Sequence, residues 1–187
     1  MKKVLLSAIA VMAFMSVSAQ ETRFGVKAGL NLSTFTGDAE DAKSLVGFQV
    51  GGFAEIKLTD KFAIQPEVLF STQGAKFEDI EGDYDTKLNY INVPVLAKYF
   101  ITEAFSVEAG PQIGFLVSAK TDGEDVKDFT KSVDFGFNLG AGYNFTENLS
   151  VGLRYTLGLS GVNDYGDDFE DLTVRNGNFA LALGYKF

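Results

Sequence analysis

The chain has 187 residues, with 16 basic and 25 acidic side chains, a formal net charge of −9, and neither histidine nor cysteine. The length suits one domain of ordinary size. Such acidity argues against nucleic acid as a partner, whose phosphates demand a basic face; without His and Cys there is no Ser-His-Asp or Cys-His catalysis, no ordinary zinc site and no disulfide framework.

Lys2 and Lys3 precede an apolar run from Val4 to Val17, followed by the small residues Ser18 and Ala19. That is the pattern of a secretory signal peptide over residues 1–19, cut after Ala19 to leave residues 20–187 as the exported domain. The run is shorter than the roughly 20 apolar residues of a spanning helix. No Cys follows the cut, so a lipoprotein anchor is not expected. No later segment reaches helical spanning length either, and any membrane insertion has to use strands.

From Arg23 onward the hydrophobic pattern has period two, which in a strand sends alternate side chains to opposite faces. In the first segment Phe24, Val26, Ala28, Leu30 and Leu32 alternate with Gly25, Lys27, Gly29, Asn31 and Ser33. The second, from Gly47 to Leu58, sets Phe48, Val50, Ala54, Ile56 and Leu58 against Gln49, Gly51, Glu55 and Lys57. In the third, Phe62, Ile64, Pro66, Val68 and Phe70 oppose Gln65, Glu67 and Ser71; in the fourth, Ile91, Val93, Val95, Ala97 and Tyr99 oppose Asn92 and Lys98.

The second half repeats the design. Phe105, Val107 and Phe115 oppose Ser106, Glu108 and Gly114 in the fifth segment, and Phe135, Phe137, Leu139 and Tyr143 oppose Asp134, Gly136, Gly140 and Gly142 in the sixth. The seventh sets Val151, Leu153 and Tyr155 against Gly152 and Arg154. The eighth ends the chain with Phe179, Leu181, Leu183, Tyr185 and Phe187 alternating with Ala180, Ala182, Gly184 and Lys186.

Connections alternate in length. Brief turns are expected at Thr59-Asp60-Lys61, Thr102-Glu103-Ala104 and Thr146-Glu147-Asn148. Long acidic connections run through Asp38, Glu40 and Asp41; through Glu78, Asp79, Glu81, Asp83 and Asp85; through Asp122, Glu124, Asp125 and Asp128; and through Asp164, Asp167, Asp168, Glu170 and Asp171. The expectation is an all-β, eight-stranded antiparallel up-and-down transmembrane barrel, with both termini at the short-turn, periplasmic end.

The polar face decides between a lipid-facing and a water-facing exterior. A soluble strand surface would carry mainly Thr, Lys and Glu, because glycine weakens a strand. Here that face is crowded with glycine and isolated charges, as suits an interior only just wide enough for side chains. Lys27, Lys57, Lys98, Arg154 and Lys186 are expected to point inward with Glu55, Glu67, Glu108 and Asp134, pairing because unpaired ions there would cost several kcal/mol. The charge network is assigned to Lys27, Glu55, Glu67, Lys98, Glu108 and Arg154. A lumen plug is favoured over ion gating. Phe62, Tyr99, Phe105, Tyr143, Phe145 and Tyr185 cluster toward strand ends, as aromatic girdles would.

The stretches IQPEVLFSTQGAK from Ile64, YINVPVLAKYF from Tyr90, VEAGPQIGFLVSAK from Val107 and GAGYNFTENLSVGLRYTLGLSGV from Gly140 occur in an order that resembles the PorT-like family of outer-membrane β-barrels. The chain departs from the family at Asn92, where members often carry Glu. The resemblance covers nearly all of the exported part and implies the bacterial outer membrane, with a namesake implicated in protein secretion. Tyr185 and the terminal Phe187 look like the signal that barrel-assembly machinery reads.

Other motifs carry less. Asp134-Phe135-Gly136 spells a kinase magnesium motif without the loops or length a kinase needs. Gly136, Gly140 and Gly142 imitate a dinucleotide fingerprint with no helix after them. The run from Asp164 to Asp171 lacks calcium-loop spacing and reads as a solvated external loop. The expectation is a monomeric, non-enzymatic outer-membrane barrel with a structural or interaction role, open to narrow-pore transport. It would contact outer-membrane lipid, the assembly machinery and an extracellular partner at the acidic loops, and it needs no cofactor or metal. Its alternatives are an accessory component of secretion and a soluble, lipocalin-like carrier with an apolar cavity.

Overall fold

The computed structural model describes residues 21–37, 42–79, 82–162 and 174–187. The expected signal peptide lies outside them, as do the acidic stretches 38–41 and 163–173. Strands β1 (Thr22–Gly37), β2 (Lys43–Thr59), β3 (Phe62–Asp79), β4 (Gly82–Phe100), β5 (Phe105–Thr121), β7 (Val133–Asn144), β8 (Leu149–Gly158) and β9 (Val174–Lys186) form the wall. A two-residue β6 (Glu124–Asp125) and a 3-10 turn (Lys127–Phe129) fold back at the end of β5.

Every neighbouring pair is antiparallel, β4 pairs with β5, and β9 pairs with β1, so the sheet closes with eight staves and no free edge. Closure is what lets strands cross a bilayer, because each backbone amide and carbonyl finds its partner within the wall. Phe187 seals the seam by donating its backbone N–H to the Phe24 carbonyl at 2.8 Å.

The three short connections lie at one end together with the start of β1 and the C-terminal Phe187. Each carries a threonine whose hydroxyl oxygen accepts a backbone N–H: Lys61 to Thr59 at 3.3 Å, Phe105 to Thr102 at 3.0 Å, and Leu149 to Thr146 at 2.9 Å. A threonine hydroxyl can stand in for a backbone acceptor in a tight turn, which is why these connections need so few residues.

At the other end one expectation is corrected. The acidic segment from Glu78 to Asp85 is largely strand, since β3 continues to Asp79 and β4 begins at Gly82. The connection after β5 is likewise compact: Asp122 and Gly123 turn at positive φ, and the Val126 N–H returns to the Ala119 carbonyl at 3.1 Å.

The faces divide as lipid requires. Leu153 and Leu183 are 53% and 57% exposed, Phe137 is 38% exposed, and Arg154 is only 6% exposed. The apolar side chains therefore point outward and the cation inward. That geometry overturns the soluble-carrier alternative, which needs its apolar face around a central cavity.

Candidate functional site: the occluded lumen

The interior is built in three layers along the strands. Nearest the short turns is an ionic layer. Arg154 on β8 donates to both oxygens of Glu67 on β3 at 2.8 and 2.9 Å, and to Glu108 on β5 at 2.7 and 2.9 Å. Glu67 also accepts from Lys27 on β1 and from Gln65, each at 2.6 Å. A second carboxylate, Glu55 on β2, accepts from Lys98 on β4 at 2.8 Å and from Lys186 on β9 at 3.0 Å. Gln65 joins the two groups by accepting from Lys98 at 3.4 Å.

One network thus draws side chains from seven of the eight staves. The eighth, β7, supplies room instead: a Cβ at Gly140 would lie 3.0 Å from the Glu108 side chain. Long ionic side chains and glycines are complementary here, because a narrow interior has no space for both partners to be large.

The six residues assigned from sequence to the charge network all lie in this layer. Lys186 joins them, and two other expected members do not. Lys57 sits at the short-turn mouth, half exposed, 3.4 Å from Glu21. Asp134 lies near the far end, where its carboxylate accepts from Ser160 at 2.6 Å and from Asn176 at 2.9 Å. The layer consequently holds Lys27, Lys98, Arg154 and Lys186 against Glu55, Glu67 and Glu108. Two rings accommodate the surplus positive charge: the Lys27 ammonium lies 5.5 Å from the Phe53 ring centroid and that of Lys98 lies 5.2 Å from Phe100. An aromatic face attracts a cation through its quadrupole.

Above the ions comes a layer of uncharged polar groups. Asn31 and Gln73 both donate to the Ser71 hydroxyl, at 2.9 and 3.0 Å, while Thr156 donates to Asn138 at 2.7 Å. Above that is an apolar plug of Phe35, Ala75, Leu88, Tyr90, Leu116, Ala119 and Val162, flanked by Phe77, Val126 and Val174. The sequence reading missed this plug, and with it Phe53, Leu69 and Leu96, all buried on the inward face. The available signal was large apolar residues recurring at inward positions of the first five strands. A residual cavity of about 30 Å³ remains around the ionic layer, room for one or two waters.

Outside, the six aromatics expected as a girdle all gather at the short-turn end. Phe62 pairs with Tyr99 and Phe105 with Tyr143 across strands. The Tyr143–Phe145 and Tyr185–Phe187 rings meet edge to face at 5.3 and 5.8 Å. Amphipathic rings of this kind settle at the bilayer interface. Tyr185 and Phe187 themselves are both exposed on the outer face.

The family described as Outer membrane protein beta-barrel domain matches residues 18–164. The chain belongs to that family. Its members' location follows: this outer-membrane barrel resides in the bacterial outer membrane. No curated protein matches it in sequence. Among solved structures, Neisserial surface protein A shares 22% identity at a TM-score of 0.60, with 88% of this chain and 97% of that one covered. Ail, the attachment invasion locus protein of Yersinia pestis, crystallised with the heparin analogue sucrose octasulfate, shares 18% at 0.53, covering 89% and 99%. The same protein in a phospholipid bilayer nanodisc gives 18% and 0.51, covering 89% and 100%. At these identities the likeness is one of fold.

Proposed function

We propose that this outer-membrane barrel acts as a closed, monomeric and non-enzymatic structural or interaction protein whose working surface is its extracellular end. The observation that carries the reading is the double obstruction of the lumen. An ion crossing it would have to part the Arg154 network and then displace Tyr90, Leu88 and Leu116 from an apolar layer. Conduction needs polar groups in a continuous path with sites weak enough to leave, and an apolar plug breaks that path. Narrow-pore transport is accordingly the lesser reading.

The remaining parts of the reading are contacts with outer-membrane lipid, assembly through recognition of Tyr185 and Phe187, and an extracellular partner at the acidic connections. An accessory role in secretion, drawn from the PorT-like resemblance, is the second reading. Its motifs are scaffold features, and a scaffold does not fix a task.

The experiment is single-channel recording of the purified, folded barrel in planar bilayers. The expected result is a silent membrane at low voltage. Reproducible conductance steps from the unmodified protein would replace the closed reading with a pore. Deletion of the gene with an assay of exported cargo tests the secretion role: unchanged export removes it.

A further inference from the structure

The chain has three prolines, Pro66 on β3, Pro94 on β4 and Pro111 on β5, and all of them stand inside the wall. Each keeps a register partner on the following stave: Pro66 with Val95, Pro94 with Gln112 and Pro111 with Phe137. Each loses its partner on the preceding one. Pairing of β2 with β3 stops at Phe53–Glu67 and resumes at Ile56–Ile64, and that of β3 with β4 stops at Pro66–Val95 and resumes at Leu69–Asn92. Between β4 and β5 it stops at Pro94–Gln112 and resumes at Ala97–Ala109. Proline has no N–H to give. The carbonyls that face the three missing donors, those of Ala54, Glu67 and Val95, therefore lose their ladder bond and are exceptions to the pairing that closure otherwise provides.

The other seams, from β5–β7 round through β7–β8, β8–β9 and β9–β1 to β1–β2, run in register without a break. Every register shift among the described residues also falls on β2–β3 or β4–β5. The wall thus has a continuous half and an interrupted half. The interrupted seams join the longest staves, of 17, 18, 19 and 17 residues from β2 to β5. In hydrocarbon a carbonyl without a partner has no water to turn to, so these seams are the weakest part of the wall.

The ionic layer lies across the same seams. Glu55 and Gln65 are the inward residues where β2–β3 is interrupted, and Glu67 faces Pro94 where β3–β4 is. Lys98 on β4 reaches past β3 to Glu55 on β2 at 2.8 Å and donates to Gln65 at 3.4 Å. Arg154, from the opposite wall, holds Glu67 at 2.8 Å and Glu108 at 2.7 Å, on the two staves that flank β4. Charge-assisted bonds, the strong kind, therefore span each seam whose ladder is cut. We infer that the ionic layer is a latch on the proline-cut sector. While Arg154 and Lys98 keep their hold the wall is closed; when that hold loosens, β3, β4 and β5 part first and the continuous half stays shut. The longest staves then carry the movement to the extracellular rim. Such parting is independent of conduction, which the apolar plug opposes above the ionic layer.

The test is hydrogen–deuterium exchange of the barrel in phospholipid nanodiscs, its folding verified by heat-dependent gel mobility. In the unmodified protein, amides over 54–56, 65–68 and 93–97 are expected to exchange about tenfold faster than those over 151–155 and 179–183, the effect of one missing hydrogen bond of ordinary worth on local opening. Arg154→Lys keeps a cation but loses the fork that holds both glutamates. It should speed exchange on β3 to β5 further and leave β8, its own stave, and β9 unchanged. Pro111→Ala, on the exposed outer face, returns a donor to the Val95 carbonyl and should slow exchange over 93–97. Equal exchange around the whole wall of the unmodified protein overturns the latch, as does an Arg154→Lys effect that is uniform or confined to β8. Amides over 93–97 that exchange as before in Pro111→Ala overturn it too.

Discussion

Arg154 and Glu67 stand on separate walls of the barrel, β8 and β3, and meet in a two-pronged pair of 2.8 and 2.9 Å. The pair is a strut across the lumen. Sequence separation is large, so the strut links late and early parts of the chain and is complete only when the barrel closes.

Arg154→Ala leaves Glu67 and Glu108 facing each other with Lys27 as the nearest cation. Removing one partner of a buried pair typically costs ~3–5 kcal/mol, because the other charge stays buried and unpaired. A loss of that size is expected in urea unfolding followed by the heat-sensitive gel band. Adding Glu67→Gln to Arg154→Ala should recover part of the loss, since one orphaned charge disappears.

The adjacent position behaves in the opposite sense. Leu153 is exposed to lipid where Arg154 is enclosed, so a cation tolerated at 154 is costly one residue earlier. Leu153→Arg should destabilise by about 2–4 kcal/mol, the cost of an arginine facing hydrocarbon at mid-depth. In the same unfolding assay Leu153→Ala should cost less than Leu153→Arg. A Leu153→Arg barrel as stable as the unmodified one would contradict the outward orientation.

That alternation between 153 and 154 was legible in the sequence because strand periodicity is local: each residue announces its face by its neighbours two positions away. The ionic layer was legible for the same reason, as charges on a glycine-rich face have nowhere else to go. The apolar plug went unread although Phe35, Leu88, Tyr90 and Leu116 keep the inward parity of their strands; only Ala119 is displaced by a break in it. Near the far rim the period breaks, with a register shift between Asn89 and Tyr90 on the β4–β5 seam and another between Ser44 and Gln49 on β2–β3. A one-residue slip exchanges the faces, so Ala119 turns inward and Lys120 outward although Val117 also faces out. The fates of Lys57 and Asp134 were hidden by height rather than by face: parity gives the side of the wall, not the level along it.

Glycines on the inward face should differ sharply in what they tolerate. A Cβ at Gly110 would lie 2.1 Å from the Val95 carbonyl oxygen, a backbone atom, whereas at Gly152 the nearest atom is 3.8 Å away. Gly110→Ala is expected to distort the β4–β5 seam and lower stability clearly. Gly152→Ala should be nearly silent by the same measurement. Comparable losses at both positions would mean that strand propensity, not space, selects these glycines.

The last residue offers a way to separate a structural role from an assembly signal. Phe187 is 70% exposed, and the seam contact it makes is through its backbone N–H to Phe24. Any residue but proline can make that bond, so a purely structural account expects Phe187→Ala to fold into detergent micelles nearly as well as the parent. If Tyr185 and Phe187 are read by the assembly machinery, the same substitution lowers the amount of heat-modifiable barrel recovered from outer membranes of living cells. The two measurements together are decisive. Unchanged recovery in cells removes the signal, and a parallel loss in micelles assigns the ring to the fold.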